Sequence, residues 1–413
     1  MREHELRRHI VGEMHLRRWP QLSAPMRIVQ LLQLVDSGMR DAEFAAVLAP
    51  PAGGIVDQAG ARHVSGTLSP GIAFGWERHN EASSITLFAK DADSAALARA
   101  VEWAETLPGT TLRATQITLV RDDEDAQRLL PGFAFEEEEL VTCHVAGDVR
   151  IWSDFRIGGE GYGRTLIAAN GAAEGDLTRT VQRVQELGNY RNLALLGLPI
   201  AQACWPLLDK AEAHLRQIGE NLVKTDVRDD ELMDQITSLS MEIAAIASSA
   251  NYRMSATAAY GQLTDERIND LKPESIRGYP SLVDFTQRRL HPAVRTCAAF
   301  TRREQQVATR AGQLTGLLRT RIETRIENQN AQLLASMERS SSLQLRLQHM
   351  VEGLSVVAIS YYALSLLSHM LEGLAEFVPA VHPHAVVAVL TLPAVLCTGL
   401  VLRHMRKRLV GDH

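Results

Sequence analysis

The sequence has few cysteines, and none of them forms a pairing motif. Cys143, Cys204, Cys297 and Cys397 are the four cysteines, no two of them form a C-x-x-C pair, and Cys397 falls inside an apolar run. This spacing argues against a disulfide framework or a zinc knuckle and suits a reducing compartment.

The first residues lack the apolar segment of a signal peptide. Residues 1–8 are mostly charged, and no apolar run follows them. We therefore expect the large N-terminal part to stay in the cytoplasm. The net charge is −6, and the only strongly basic stretch lies at the extreme C-terminus. Nucleic acid is therefore not expected as a main partner.

The sequence also lacks the common catalytic motifs. There is no G-x-S-x-G and no H-E-x-x-H, and the glycine cluster 158–163 lacks both the third glycine of the dinucleotide spacing and a following G-K-[ST]. We interpret that cluster as a flexible turn and predict that the protein is not an enzyme and binds no cofactor. The four carboxylates Glu136–Glu139 are interpreted as the solvated start of a strand in preference to a cation site.

The length of 413 residues predicts two or three folding units. Residues 1–170 carry short β-type runs between helical stretches and predict a cytoplasmic α+β domain. Hairpins are expected at 67–76 and around Gly147. The predicted strands are 71–76, 85–89, 112–120, 140–145, 149–155 and 165–168, and the predicted helices are 25–34, 41–48 and 92–106.

Residues 171–350 predict a bundle of long helices in the cytoplasm. The expected helices are 176–222, with a possible break at Gly197–Pro199, then 229–271, and then one long coiled-coil-like helix over 284–350. No proline occurs between Pro292 and Pro379. The alternative is two helices, with a break near Gly312 and Gly316 or near Ser340–Ser342. The tripeptide Asn-Tyr-Arg occurs at 189–191 and at 251–253, and a repeat, a shared anchoring role and chance all remain open.

Residues 351–404 predict a transmembrane hairpin, with spans at about 353–371 and 385–402. The alternative is a pair of buried core helices. A basic tail over 405–413 follows, and the positive-inside rule places it in the cytoplasm, which puts both termini on that side. Arg403 and three basic residues of the tail supply the topology signal, and the acidic connecting segment supplies candidate outer-loop residues. The topology residues are Arg403, Arg406, Lys407 and Arg408, and the outer-loop candidates are Glu376, His382 and His384.

The first predicted span has a polar face. This face either lines a path through the membrane or packs against another helix by hydroxyl hydrogen bonds. Both interpretations turn the face away from lipid and favour a homo-oligomer. The residues of the face are Ser355, Tyr361, Tyr362, Ser365, Ser368, His369 and Glu372.

Several stretches resemble one bacterial family of uncharacterised membrane-anchored proteins, defined by a domain of unknown function. The resemblance is carried by residues 314–337, 344–348 and 351–362, and by His4–Arg17 near the start. It covers nearly the whole chain and implies a multi-pass protein of the bacterial inner membrane. It implies no reaction and no ligand.

The layout alone is similar to CorA-type divalent-cation channels, but their Gly-Met-Asn motif is absent. The corresponding stretch is Ser368–Leu374. Two functional hypotheses follow: an oligomeric membrane-anchored scaffold or sensor, and a divalent-cation channel whose first span lines the pore. A membrane-tethered enzyme is a third, resting on the α+β domain alone.

Overall fold

The computed structural model describes residues 3–14, 19–60, 62–90, 94–224, 226–375 and 383–410. They form two compact units, Met1–Thr315 and Gly316–His413. The helices are α1 (Arg7–Met14), α2 (Arg40–Leu48), α3 (Ser94–Glu105), α4 (Asp123–Phe133), α5 (Glu174–Leu195), α6 (Gly197–Leu222), α7 (Asp229–Leu271), α8 (Leu282–Ala375) and α9 (Pro383–Val410). The strands are β1 (Met26–Leu34), β2 (Ile55–Gly60), β3 (His63–Ser69), β4 (Ile72–Arg78), β5 (Ala82–Ala89), β6 (Thr110–Val120), β7 (Val141–Val145), β8 (Val149–Ser153), β9 (Gly163–Ala168) and β10 (Glu274–Ser275).

The first unit is built on one mixed sheet in the order β10-β7-β8-β9-β6-β1-β5-β4-β3-β2. Strands β6 and β9 are parallel, and the other neighbouring pairs are antiparallel. The β3–β4 and β7–β8 pairs are the two hairpins that the sequence predicts. The N-terminal part is thus an α/β sheet domain.

One predicted helix is wrong. Residues 25–34 were expected to be helical, but Met26–Leu34 is strand β1 at the centre of the sheet. Helices cover both faces of this strand, so its residues are buried on both sides and show no alternation of polar and apolar positions. A short apolar run of this kind does not distinguish a strand from a buried helix.

Each face of the sheet has its own core. On one face, Ile28 and Ile117 pack with Val181 of α5 and Leu271 of α7. On the other face, the central strands pack against α2 and α3, and β8 and β9 pack against α4. Helix α5 therefore lies on a sheet face whose side chains come from the even-numbered residues of β1 and the odd-numbered residues of β6.

Long helices follow the sheet, as the sequence predicts. The expected helix 176–222 is two helices that meet at Leu196, and Asp229–Leu271 has the expected bounds. Helix α8 runs without a break from Leu282 to Ala375, which excludes the alternative of a break near Gly312 or Ser340. The change from strands to helices falls near residue 170, whereas the compact units divide between Thr315 and Gly316.

In the second unit, α8 and α9 contact each other. The Ser360 and Thr398 hydroxyls form a hydrogen bond, and Val356 lies beside Gly399. Two helices of the described chain are long and apolar enough to cross a membrane: α8 contains an 18-residue window of mean hydropathy 1.6, and Ala385–His404 reaches 2.5.

Candidate anion-binding site

Arg113 of β6 lies between the sheet and α5. Its Nη1 atom donates to Gln30 Oε1 at 3.2 Å and to Asn189 Oδ1 at 2.9 Å. The guanidinium lies directly against the backbone of α5 at Gly188, where a Cβ atom would come within 2.5 Å of Nη2. A glycine within a helix costs about 1 kcal/mol relative to alanine. Gly188 therefore provides the space that Arg113 occupies.

Arg191 of α5 is held between two aromatic rings. Its Cζ atom is 4.4 Å from the centre of the Phe155 ring and 4.8 Å from that of Phe285 in the first turn of α8. The side chain is buried, with 7% of its surface exposed. Phe155 has a φ of +54°, a conformation that costs a bulky side chain energy. The strained backbone therefore occurs at the residue whose aromatic ring contacts the buried guanidinium of Arg191.

No carboxylate partners either arginine in the described part of the chain. The cation–π contacts are the only attractive interactions of the Arg191 guanidinium among the described residues, and Arg113 donates hydrogen bonds only to neutral amides. Other part-buried arginines of the same unit have acidic partners: Arg253 pairs with Glu81 and Arg267 with Glu186. Arg253 belongs to the second Asn-Tyr-Arg tripeptide. The two copies therefore differ: Arg253 has a carboxylate partner, whereas Arg191 has none among the described residues.

Both arginines line one cavity of about 170 Å³ between β6, β8, β9 and α5. Its wall also carries hydroxyls: Thr165 Oγ1 lies 3.4 Å from Ser153 Oγ, and Thr115 Oγ1 lies 3.2 Å from Gln185 Oε1. Gly161 and Gly163, from the glycine cluster noted in the sequence, line the cavity as well. That cluster forms the connection between β8 and β9 and the start of β9, within the sheet domain.

Burial and mutual repulsion destabilise the two charges. The pKa of Arg113 is lowered to about 9, first by burial and then by the charge of Arg191. Burial lowers the pKa of Arg191 to about 10. Both values lie above neutrality, so both guanidinium groups are protonated at pH 7. The cavity wall thus carries these two positive charges, the third arginine Arg156 and several hydroxyl groups, and such donors bind a carboxylate or phosphate group.

Glu136–Glu139 are not part of this cavity. They precede β7, and Arg156 binds Glu139 at 2.9 Å and Glu136 at 3.3 Å. The hydrogen bond from Arg156 holds the pKa of Glu139 below its usual value. Within the described ranges, no group of three or more His, Cys, Asp or Glu residues is arranged to hold a metal ion.

The residues of the predicted polar face lie along α8 and bond mostly within that helix. Ser355 Oγ donates to the carbonyl of Val351, and Ser368 Oγ lies 3.4 Å from a carboxylate oxygen of Glu372. The Nδ1 atom of His369 lies 2.8 Å from the carbonyl oxygen of Ser365. Tyr361 and Tyr362 are largely exposed in the single chain. The contact with α9 uses Ser360 instead, a residue that the sequence analysis did not select.

Of the other sequence candidates, Arg403 is exposed in α9. Glu376 and His382 lie outside the described residues. His384, Arg406, Lys407 and Arg408 lie in α9, of which only the backbone is described at these positions.

The cavity that Arg113 and Arg191 line is not evident from the sequence. The tripeptide at 189–191 was noted but had no assigned role, and Arg113 lies within a predicted strand. A signal was present: Arg113, Thr115 and Ile117 alternate on the strand face that packs on α5, so an arginine occupies an inward position. Only the pairing of β6 with α5 brings that arginine to Arg191.

The fold and the cavity define an α/β protein with a buried cationic pocket, extended by long helices. Residues 2–409 match a family described as a protein of unknown function, DUF3422, and the chain belongs to that family. No curated protein and no solved structure matches the chain.

Proposed function

We propose that this protein is a membrane-anchored binding protein, not an enzyme, whose α/β unit binds a small anion carrying a carboxylate or phosphate group. The observation that carries the proposal is the pair of guanidinium groups, Arg113 and Arg191, that line one cavity without a carboxylate partner among the described residues. Such a site fits a sensor that is held at the membrane by two helices.

Two buried positive charges that have no carboxylate partner in the described part of the chain are unfavourable. Moving an ion into a protein interior costs several kcal/mol unless a partner compensates it. The amides of Gln30 and Asn189 and the rings of Phe155 and Phe285 compensate part of that cost. A bound anion would compensate both charges at once, through the paired N–H donors that guanidinium groups present to carboxylates and phosphates.

The proposed anchor is the pair α8 and α9. Each contains a window that is apolar enough to span a bilayer, and almost none of either window is buried against the chain. The α9 helix ends in the basic stretch that begins at Arg403. On the positive-inside rule, this supports a bacterial inner-membrane hairpin with both termini in the cytoplasm.

The binding proposal is tested by titrating the purified full chain with inorganic phosphate and with succinate, following the thermal midpoint and the heat of binding. Saturation at 100 times Kd should stabilise the folded state by about 2.7 kcal/mol. The variants Arg191→Met and Arg113→Met should lose the ligand-induced rise. The unliganded stability of Arg191→Met should stay close to that of the wild type, because the substitution removes a buried charge that no carboxylate of the described residues compensates. Arg113→Met also loses the hydrogen bonds to Gln30 and Asn189 and should be less stable than the wild type.

Arg179→Gln is the matched control, since it removes one positive charge from an exposed position of the same helix. It should keep the ligand-induced rise. If Arg191→Met loses several kcal/mol of stability and the wild type responds to neither anion, Arg191 serves the fold and the proposal is wrong.

A further inference from the structure

One long segment of α8 is covered by none of the residues that the structure describes. Residues 323–350 are exposed at every position, on all sides of the helix. Large apolar side chains are among them: Leu333 is 60% exposed, Leu347 is 56% exposed and Met350 is 66% exposed. Apolar surface of this kind is unfavourable in water and marks an interaction surface.

The apolar residues follow a heptad repeat. With Ile326 at position a, the a positions are 326, 333, 340, 347 and 354, and the d positions are 322, 329, 336, 343 and 350. Seven of these ten positions are Ile, Leu or Met, and the other three are Gln329, Ser336 and Ser340. A repeat of 3.5 residues along one helix is the pattern of a two-stranded or higher coiled coil. Isolated polar residues at core positions fix the register of such an assembly.

The flanking charges favour parallel over antiparallel pairing. In a parallel pair, Arg325 and Arg339 at g positions face Asn330 and Gln344 at e positions of the second helix, so no like charges meet. In an antiparallel pair over the same segment, g faces g, and Arg339 meets Arg339 of the second copy. Like charges in that position are destabilising.

We propose that residues 322–354 of α8 form a parallel, in-register coiled coil with a second copy of this chain. A second copy is the occupant because it supplies the same heptad repeat in the same register. The helix also continues into a segment that the proposed anchor would place in the bilayer, which gives both copies the same direction. This inference adds an assembly to the proposed binding function and does not depend on the anion site.

The test is disulfide formation in the full chain, in a Cys397→Ser background. The other three native cysteines are buried. Ser340→Cys, at an a position, should give at least ten times more disulfide-linked dimer than Ser342→Cys, at a c position two residues away. The two variants make the same chemical change in the same run of serines, so the comparison isolates the helix face.

The direction is tested by Gln329→Cys and Met350→Cys, two d positions that lie 21 residues apart. In a parallel register, each should link to its own copy. If neither links to itself while Ser340→Cys does, pairing is antiparallel and the proposal is wrong. Equal linking of Ser340→Cys and Ser342→Cys, or a monomeric mass by light scattering, would also overturn it.

A disruption experiment adds a second readout. Leu347→Asp, at an a position, should raise the dimer dissociation constant at least tenfold. Leu345→Asp, at an exposed f position of the same helix, is the control and should leave it unchanged. Equal effects of the two substitutions would contradict the heptad assignment. Because all of these variants leave Arg113 and Arg191 intact, anion binding measured on the same samples separates this inference from the proposed function.

Discussion

At the scale of single residues, the cavity depends on the glycine that faces Arg113. Gly188 lies inside α5, where alanine would favour the helix, yet a Cβ atom there would overlap Nη2, Cζ and Nε of Arg113. The guanidinium is confined by the sheet and by its bonds to Gln30 and Asn189. Steric exclusion at this position therefore outweighs helix propensity.

We expect Gly188→Ala to destabilise the protein, because displacing Arg113 breaks hydrogen bonds of a charged group that contribute about 1.5–3 kcal/mol each. The gain in helix propensity, about 1 kcal/mol, offsets only part of this loss. Chemical denaturation of the purified chain measures the difference, and anion affinity should fall in the same variant.

Gly175→Ala serves as the control in the same helix. Its Cβ atom would meet nothing closer than 3.9 Å, at Arg179. This substitution should be neutral or stabilising. If Gly188→Ala also stabilises the protein, then Arg113 has room to move, and the close approach of its guanidinium to Gly188 does not affect stability.

At the scale of secondary-structure elements, the start of α8 is fixed by a reciprocal cap. The Ser281 N–H and hydroxyl both donate to Asp284 Oδ2 at 2.8 Å, and the Asp284 N–H donates to Ser281 Oγ at 3.3 Å. This is the capping-box arrangement with aspartate in place of glutamate. The next residue, Phe285, stacks on Arg191, so the cap holds one wall of the cationic site in place.

The cap predicts a pH-dependent stability. Hydrogen bonds from the Ser281 backbone and side chain hold the pKa of Asp284 below its ordinary value. Its stabilising effect is therefore complete above the ordinary pKa of aspartate and is lost as the pH falls through the lowered value. Asp284→Asn should cost about 1 kcal/mol at pH 7, the usual effect of losing a cap.

The measurement is the difference in unfolding free energy between wild type and Asp284→Asn at pH 7 and near pH 3. The difference should shrink towards zero at the lower pH. Asp226→Asn, in an exposed segment between α6 and α7, controls for the general loss of a carboxylate. A difference that stays constant from pH 7 to pH 3 would show that the cap does not depend on ionised Asp284.

At the scale of the whole molecule, the chain combines a sheet domain that buries its apolar residues with a C-terminal part whose apolar residues are exposed. The sheet domain has buried cores on both faces, whereas the apolar windows of α8 and α9 are almost unburied. Exposed apolar helices of this length are stable only when lipid or other protein covers them. We therefore expect the full chain to remain with the membrane fraction after carbonate extraction.

Topology can be measured by labelling single cysteines with a membrane-impermeant maleimide, in a Cys397→Ser background. Glu376→Cys should react in intact bacterial cells, and Asp412→Cys should react only after the inner membrane is made permeable. These positions test the acidic connection and the basic tail separately. Labelling of both in intact cells, or extraction of the chain by carbonate, would contradict the proposed hairpin.

Elements with strong local signals in the sequence were predictable, and elements without them were not. The long helices were predictable because acidic first-turn residues, prolines beyond their ends and helical spacing are all local signals. Asp229–Leu271 is an example. Strand β1 was not, because a strand buried on both faces loses the alternation that identifies it. Strand β2 and helix α4 were missed too: β2 is short and mostly exposed, and α4 contains a proline, Pro131.

The candidate site was not predictable from the chain. Arg113 and Arg191 lie 78 residues apart in the sequence, on a strand and a helix whose packing depends on the order of all the strands between them.

The sequence by itself determined the elements whose causes are local: the helices, the hairpin turns, the apolar segments and the heptad repeat of α8. The tertiary structure decided which polar residues share a cavity and which arginines have acidic partners. The two Asn-Tyr-Arg tripeptides show this: one places Arg253 against Glu81, and the other places Arg191 in a cavity without a carboxylate in the described chain. The physical reason is that charge compensation depends on distance in space, and only the packing of α5 and α7 on the sheet sets that distance.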